Sequence, residues 1–209
     1  MTSLREKFEK NGYVVVKKAL SKELCDFITQ YALFDEMQDY SPDGVQVPTA
    51  HSKYGDPAME TVLALLHETM EKNTGLQLYP TYSFYRVYRN GDDLKIHKDR
   101  PACEISCTMC FNYSYDSKDY EWPIFMDGKA VNLKPGDLVI YKGTELDHWR
   151  EPFDIPQENQ WHVQGFFHYV NANGPYTEHK FDGRNSIGEL NQQTTENQTQ
   201  EIPKYISFV

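Results

Sequence analysis

The segment Tyr82–Asp99, YSFYRVYRNGDDLKIHKD, constrains this chain more than any other. It reads as a strand, a turn at Asn90-Gly91-Asp92, and a second strand ending in His97-Lys98-Asp99. Residues two apart on a strand project to the same side, so His97 and Asp99 point together with α-carbons about 6.5 Å apart. An imidazole and a carboxylate so placed can converge on one ion. A second histidine would complete the two-histidine, one-carboxylate facial arrangement suited to non-haem ferrous iron. His148, at the end of LVIYKGTELDHW, is the candidate. In a chain with seven histidines an isolated HxD also arises by chance as a surface pair, so the surroundings must decide.

The chain of 209 residues suits one domain with a sizeable core, read as residues 1–176, followed by a polar C-terminal tail, 177–209. A net charge of −10 argues against sequence-independent attraction to phosphate backbones, so no nucleic-acid partner is expected. Lys95, Lys98 and Arg100 form a local basic cluster able to meet an acidic ligand. No apolar run approaches membrane-spanning length, and MTSLREKFEK has no signal-peptide core, so a cytoplasmic, reducing setting is expected. Three of the four cysteines cluster, but Cys107 and Cys110 lie an odd number apart on the strand ISCTMCFNY and so face opposite ways. With no second CxxC, buried reduced thiols are expected rather than a zinc site.

In chain order, Ser3-Leu4-Arg5-Glu6 has capping-box spacing and Gly12 is placed to end the short helix that follows. Tyr13–Val16 is a β-branched run. Ser21 caps a helix whose apolar stripe is read as Leu24, Phe27, Ile28 and Tyr31. Residues 39–55 are read as a long loop, and Asp56-Pro57 opens a helix burying Met59, Val62, Leu63, Leu66 and Met70. From Tyr79 to Val170 about eight short strands alternate with turns, including hairpin Asp127-Gly128 and type II turn Lys134-Pro135-Gly136-Asp137. The expected architecture is mainly β with an α-helical N-terminal third, a double-stranded β-helix or jelly roll with supporting helices. NQQTTENQTQ is low-complexity and read as mobile; the terminal IPKYISFV is apolar enough to dock.

Tyr88-x-x-Gly91, Leu94-x-x-His97-x-Asp99, LKPGDLVIYKG and then His148, in that order after a helix-rich start, resemble the Fe(II)/2-oxoglutarate-dependent dioxygenases. The prolyl-4-hydroxylase-like branch, with small oxygenases carrying an HxDRPxCEIS signature, is the nearest flavour. GYVVVKKALS at 12–21 is similar to the start of that superfamily, and the resemblance covers roughly residues 10–170. It implies that His97, Asp99 and His148 hold Fe(II) while 2-oxoglutarate and O2 take the open positions. It also implies oxidative decarboxylation to succinate and CO2, with oxidation of a C–H bond in a small molecule or a peptide side chain. A carboxylate at Asp99 rather than a small residue argues for hydroxylation or desaturation over halogenation.

One departure stands out. Most members anchor the far carboxylate of 2-oxoglutarate with Arg or Lys on the strand after the distal histidine, yet DIPQENQWHVQGFFHYV has neither. ISCTMCFNY, the other usual place for a cation, has none. In the family the tyrosine matching Tyr88 faces inward, so by strand parity Arg86 and Phe84 do too; Arg150 shares the inward side of His148. Arg150 and Arg86 are therefore the leading anchors, since a guanidinium fork binds a carboxylate bidentately. A rim ion pair of Arg150 with Glu151 or Asp147 is the other reading. His162 and Gln164 are expected to face inward as hydrogen-bond partners, and Arg100 to contact substrate or hold Glu104. Two other functions remain open: a catalytically silent jelly-roll binding protein, against which the complete triad counts, and a cupin-like metalloenzyme not using 2-oxoglutarate. Oligomeric state and substrate are not encoded in any recognisable motif.

Overall fold

The structure, a computed structural model, describes residues 2–116 and 118–189. Helix α1 (Leu4–Asn11) begins with the expected box: Ser3 Oγ accepts from Glu6 N, and Glu6 Oε2 accepts from Ser3 N at 2.6 Å. Gly12, at φ 74°, turns the chain into β1 (Tyr13–Val16). Ser21 caps α2 (Lys22–Gln38), and Asp56 caps α3 (Pro57–Thr74) by accepting from Ala58 N and Met59 N. These helices lie in the first third of the chain with two short strands between them, β1 and β2 (His51–Tyr54).

The remaining strands are β3 (Leu78–Arg89), β4 (Leu94–His97), β5 (Ile105–Tyr113), β6 (Ile124–Met126), β7 (Lys129–Val131), β8 (Leu138–Lys142), β9 (His148–Arg150) and β10 (Trp161–Asn171). They form a six-stranded sheet, β1-β8-β5-β10-β3-β2, and a four-stranded sheet, β4-β9-β6-β7, with every pairing antiparallel. This is the expected jelly roll, enlarged by two edge strands from the N-terminal region. No helix among the described residues is long and apolar enough to cross a membrane.

The large sheet has two faces with different work. Its outer face packs on the helices, where Met59, Leu63 and Leu66 meet Tyr85, Met109 and Phe167. Its inner face looks at the small sheet across Tyr88, Leu94, Trp122, Phe153 and Phe166. Cys107 belongs to the outer core and Cys110 to a cluster with Ile124 and Met126, as their odd spacing requires. All four thiols are free and buried. A bulge lets β3 serve both faces: Ser83 pairs with Phe167 and Pro80 with Tyr169, so Thr81 and Tyr82 stand together opposite His168. One extra residue reverses the alternation there, so Leu78 joins the outer core while Phe84 and Arg86 line the interior.

Two expectations need correction. The buried stripe of α2 is Cys25, Ile28, Thr29 and Ala32, one position round from the stripe read in the sequence, and Phe27 is 65% exposed. Cys25, Ile28, Thr29 and Ala32 keep the regular i, i+3, i+4, i+7 spacing, but Cys, Thr and Ala signal burial less strongly than the Leu, Phe and Tyr beside them. Residues 39–55 are not all loop, since β2 pairs with β3 from His51↔Val87 to Tyr54↔Phe84. The sequence HSKY has no apolar alternation to announce that edge strand. The segments NQQTTENQTQ and IPKYISFV lie outside the described residues.

Leu63→Ala should cost about 2–5 kcal/mol by leaving a cavity under α3. Phe27→Ala should change stability by no more than about 0.5 kcal/mol, because its side chain is largely exposed. Urea denaturation of both variants checks which face of each helix carries the core.

Candidate metal centre

Strands β4 and β9 pair with His97 opposite His148, and this register brings the two imidazole rings to 4.2 Å between centroids. Asp99 lies two residues beyond the end of β4, held by its own N–H donating to Gly143 O at 2.9 Å. Its Oδ1 is 3.7 Å from His97 Nε2 and 3.5 Å from His148 Nε2, and one donor atom from each of the three residues lies within 4.8 Å of the others. His97 Nδ1 donates to Lys95 O at 2.7 Å, and His148 Nδ1 donates to Leu146 O at 3.0 Å. A carbonyl can only accept, so both rings carry the proton on Nδ1 and present an Nε2 lone pair to the centre. Burial and the neighbouring His148 push the His97 pKa down, favouring the neutral ring. Burial opposes ionisation of Asp99, but the histidines around it, His148 foremost, hold its carboxyl below the usual range.

The three donors open into a cavity of about 480 Å³, within the span of small-molecule sites. Tyr54, Tyr82, Phe84, Arg86 and Phe166 form much of its wall, and the 39–50 segment contributes Asp43, Val45 and Gln46. At the mouth, Arg100 does not hold Glu104, which instead accepts from Asn171 N at 2.7 Å. Arg100 donates to both Asp182 oxygens at 2.8 and 2.7 Å and stacks over Tyr82. Phe181 and Asp182 carry this contact at φ 58° and 55°, a conformation non-glycine residues adopt at some cost. Lys95 pairs with Asp93.

The five residues expected to hold a co-substrate sit in successive layers. Arg86 alone lines the cavity, where it donates to Asp43 Oδ2 at 2.7 Å and Gln46 Oε1 at 2.6 Å. Tyr88 lies behind it, 3.5 Å from an Arg86 amine. Arg150 faces inward and is only 2% exposed, so it forms no rim pair with Glu151 or Asp147. It stacks on Trp122, donates to Trp122 O at 2.7 Å and Gln164 Oε1 at 3.1 Å, and leaves Nε unpartnered. The ionisable groups around it include the hydroxyls of Tyr88, Tyr115 and Tyr120, the Cys110 thiol and His162, and among the described residues no carboxylate pairs with it. His162 Nε2 donates to Gln164 Oε1 and its Nδ1 accepts from the Tyr115 hydroxyl, while burial with the adjacent Arg150 keeps the ring neutral.

A second convergence, Asp99 with Cys103 and His168, was not legible in the sequence as a cluster. Its thiol is a poor ligand: burial and the Asp99 charge push the Cys103 pKa up, and Tyr82 Oη sits 3.1 Å from its sulfur.

Neither a protein-family model nor a curated protein sequence matches the chain. Solved structures do. A Pseudomonas putida prolyl-4-hydroxylase superposes with TM-score 0.63 at 18% identity, over 79% of this chain and 96% of that one. The epimerase SnoN of nogalamycin biosynthesis, in complex with Fe3+, alpha-ketoglutarate and nogalamycin RO, gives 0.66 at 12% identity, over 83% and 84%. HygX from Streptomyces hygroscopicus, with nickel, 2-oxoglutarate and hygromycin B bound, gives 0.61 at 10% identity, over 81% and 87%. Likeness at these identities establishes a shared fold, that of the iron and 2-oxoglutarate oxygenases.

A Cβ at Gly143 would collide with Cys103 O and the Asp99 carboxylate. Gly143→Ala should therefore lower stability by about 1–3 kcal/mol through overpacking. A thermal melt indistinguishable from the parent would mean that Asp99 is not confined as described.

Proposed function

We propose that the protein is an Fe(II)- and 2-oxoglutarate-dependent oxygenase that hydroxylates a C–H bond of a small molecule or a peptide side chain, releasing succinate and CO2. The observation that carries this reading is the convergence of two Nε2 lone pairs and one carboxylate oxygen at the head of a jelly-roll cavity. That donor set suits ferrous iron: imidazole and carboxylate bind it while leaving coordination positions open. The fold supports the reading, because structural neighbours were crystallised with metal and 2-oxoglutarate bound.

His97, His148 and Asp99 would hold the metal. Iron(II) with 2-oxoglutarate and O2 would supply the oxidising chemistry that converts C–H to C–OH. Phe84 and Phe166 wall the interior below the metal and limit water there. Arg150 is the proposed anchor for the far carboxylate. A fully buried guanidinium with no counter-ion is costly, and an incoming carboxylate would relieve that cost. Arg86 is the less suitable candidate because Asp43 already meets its charge. Gln164, Tyr88 and His162 would keep Arg150 oriented.

One observation favours a second reading, a metalloenzyme without 2-oxoglutarate. Arg86, the anchor candidate that reaches the cavity wall, is already paired. Anaerobic titration of 2-oxoglutarate into the Fe(II) protein, following the charge-transfer band, separates the two readings. The band should form, and Arg150→Ala should weaken 2-oxoglutarate binding by roughly 2–5 kcal/mol, tens to thousands of fold, with metal binding retained. Arg150→Lys should recover part, keeping the charge but losing the fork. A defect confined to Arg86→Ala would move the anchor there.

His97→Ala and His148→Ala should abolish metal binding and turnover while leaving the fold, and Asp99→Ala should lose hydroxylation. Incubating cell extract with enzyme, iron and 2-oxoglutarate, then searching by mass spectrometry, identifies the product class. Gain of one oxygen is expected; a mass-neutral product would indicate epimerisation, and loss of two hydrogens desaturation or cyclisation. Structural neighbours include an epimerase and a carbocyclase. Full iron-dependent turnover by either histidine variant would refute the metal assignment.

A further inference from the structure

Opposite the metal triad, one row of side chains crosses the large sheet. Tyr141 on β8, Ser106 on β5 and His168 on β10 are register partners, and the β3 bulge sets Tyr82 beside His168. Tyr82, Tyr141 and His168 line the cavity. Ser106 is fully buried, and its Oγ is surrounded by three partners. His168 Nδ1 is at 2.8 Å, Cys103 O at 3.0 Å and Asp99 Oδ2 at 3.3 Å. The His168 ring is fixed further by Tyr82, 4.5 Å away between centroids.

A serine hydroxyl has one proton to give, and a carbonyl and a carboxylate can only accept. If Ser106 gave its proton to His168 Nδ1, this group would make one hydrogen bond. If the ring instead carries the proton on Nδ1, it donates to Oγ, and Oγ donates onward to the carboxylate or the carbonyl. That arrangement makes two. The second is favoured, since a buried acceptor left without a donor is expensive. It frees the Oγ proton for Asp99 Oδ2, at 3.3 Å, or Cys103 O, at 3.0 Å, and leaves Asp99 Oδ1 for the ion. His168 Nε2 is then a lone pair, and it has no partner among the described residues.

We propose that Ser106 and His168 form a positioning pair for Asp99, with His168 Nε2 left as a fixed acceptor in the cavity for a hydroxyl or N–H group of the substrate. This rests on the metal reading above and deepens it. The substrate class becomes narrower: a compound with a hydrogen-bond donor near the carbon that reacts, seated beside the Tyr54–Tyr82 stack.

The pair can be tested before any substrate is known. In protein labelled with 15N-histidine, the His168 signals, assigned by their loss in His168→Gln, should have the pattern of the Nδ1–H tautomer. Co(II) is the metal probe. Ser106→Ala should weaken Co(II) binding by about 10–100-fold, whereas Ser106→Thr, which keeps the hydroxyl, should restore most of it. Thermal melts of the metal-free variants check that folding is intact. An Nε2–H tautomer, or Co(II) affinity unchanged in Ser106→Ala, overturns the proposal. His97→Ala is the separate control: if it still binds Co(II) like the parent, the metal reading itself fails. Once a substrate is in hand, one with no hydroxyl or N–H near the oxidised carbon would overturn the acceptor role.

Discussion

The pairing of β4 with β9 is the interaction on which the candidate site depends. Both strands are short, and their ladder is irregular between Leu94↔Arg150 and His97↔His148. That one register sets the two histidines side by side at the mouth and sends Arg150 inward one layer below. A slip of one residue would turn both the histidine and the arginine of β9 to the opposite face. The small sheet thus carries two candidate ligands and the buried cation on the four residues of β4 and the three of β9, while the large sheet supplies the wall they work against.

Much of this was legible in the sequence. The spacing of His97 and Asp99, the placement of His148 after a strand, and the caps at Ser3, Ser21 and Asp56 are all local signals, and the structure places each where local geometry predicts. Asp99 is the partial exception, because β4 ends at His97 and the carboxylate reaches the centre from the following turn. What was not legible depends on contacts between distant segments. Arg100 meets Asp182 across 82 positions of chain, and Ser106 meets His168 across 62, with no periodicity to link them. The bulge in β3 is likewise silent in a sequence whose alternation reads straight through it.

Charge in the interior divides along the same line. Strand parity predicted that Arg86 and Arg150 both point inward, and they do. Parity could not say which of them already has a counter-ion, because Asp43 arrives from a segment without regular structure. The distinction matters energetically: a paired guanidinium is a settled part of the wall, whereas an unpaired one in a dry interior invites an anion.

The β3 bulge has a consequence for how such a scaffold can diversify. Beyond the bulge, the residues seated among the helices and those facing the cavity occupy opposite phases of the alternation, whereas Leu78 before it has the parity of the cavity residues yet sits in the helix-side core. There Tyr82, Phe84 and Arg86 sit on the phase that the helix-side residues Tyr85 and Val87 do not use. Exchanges at these three positions reshape the chamber without disturbing the contacts that hold the helices to the sheet. Insertion or deletion of a single residue at Thr81 or Tyr82 would have the opposite effect, rotating Leu78 out of the core. The strand is thus permissive to substitution and intolerant of length change, a combination that lets ligand preference drift while the frame stays fixed.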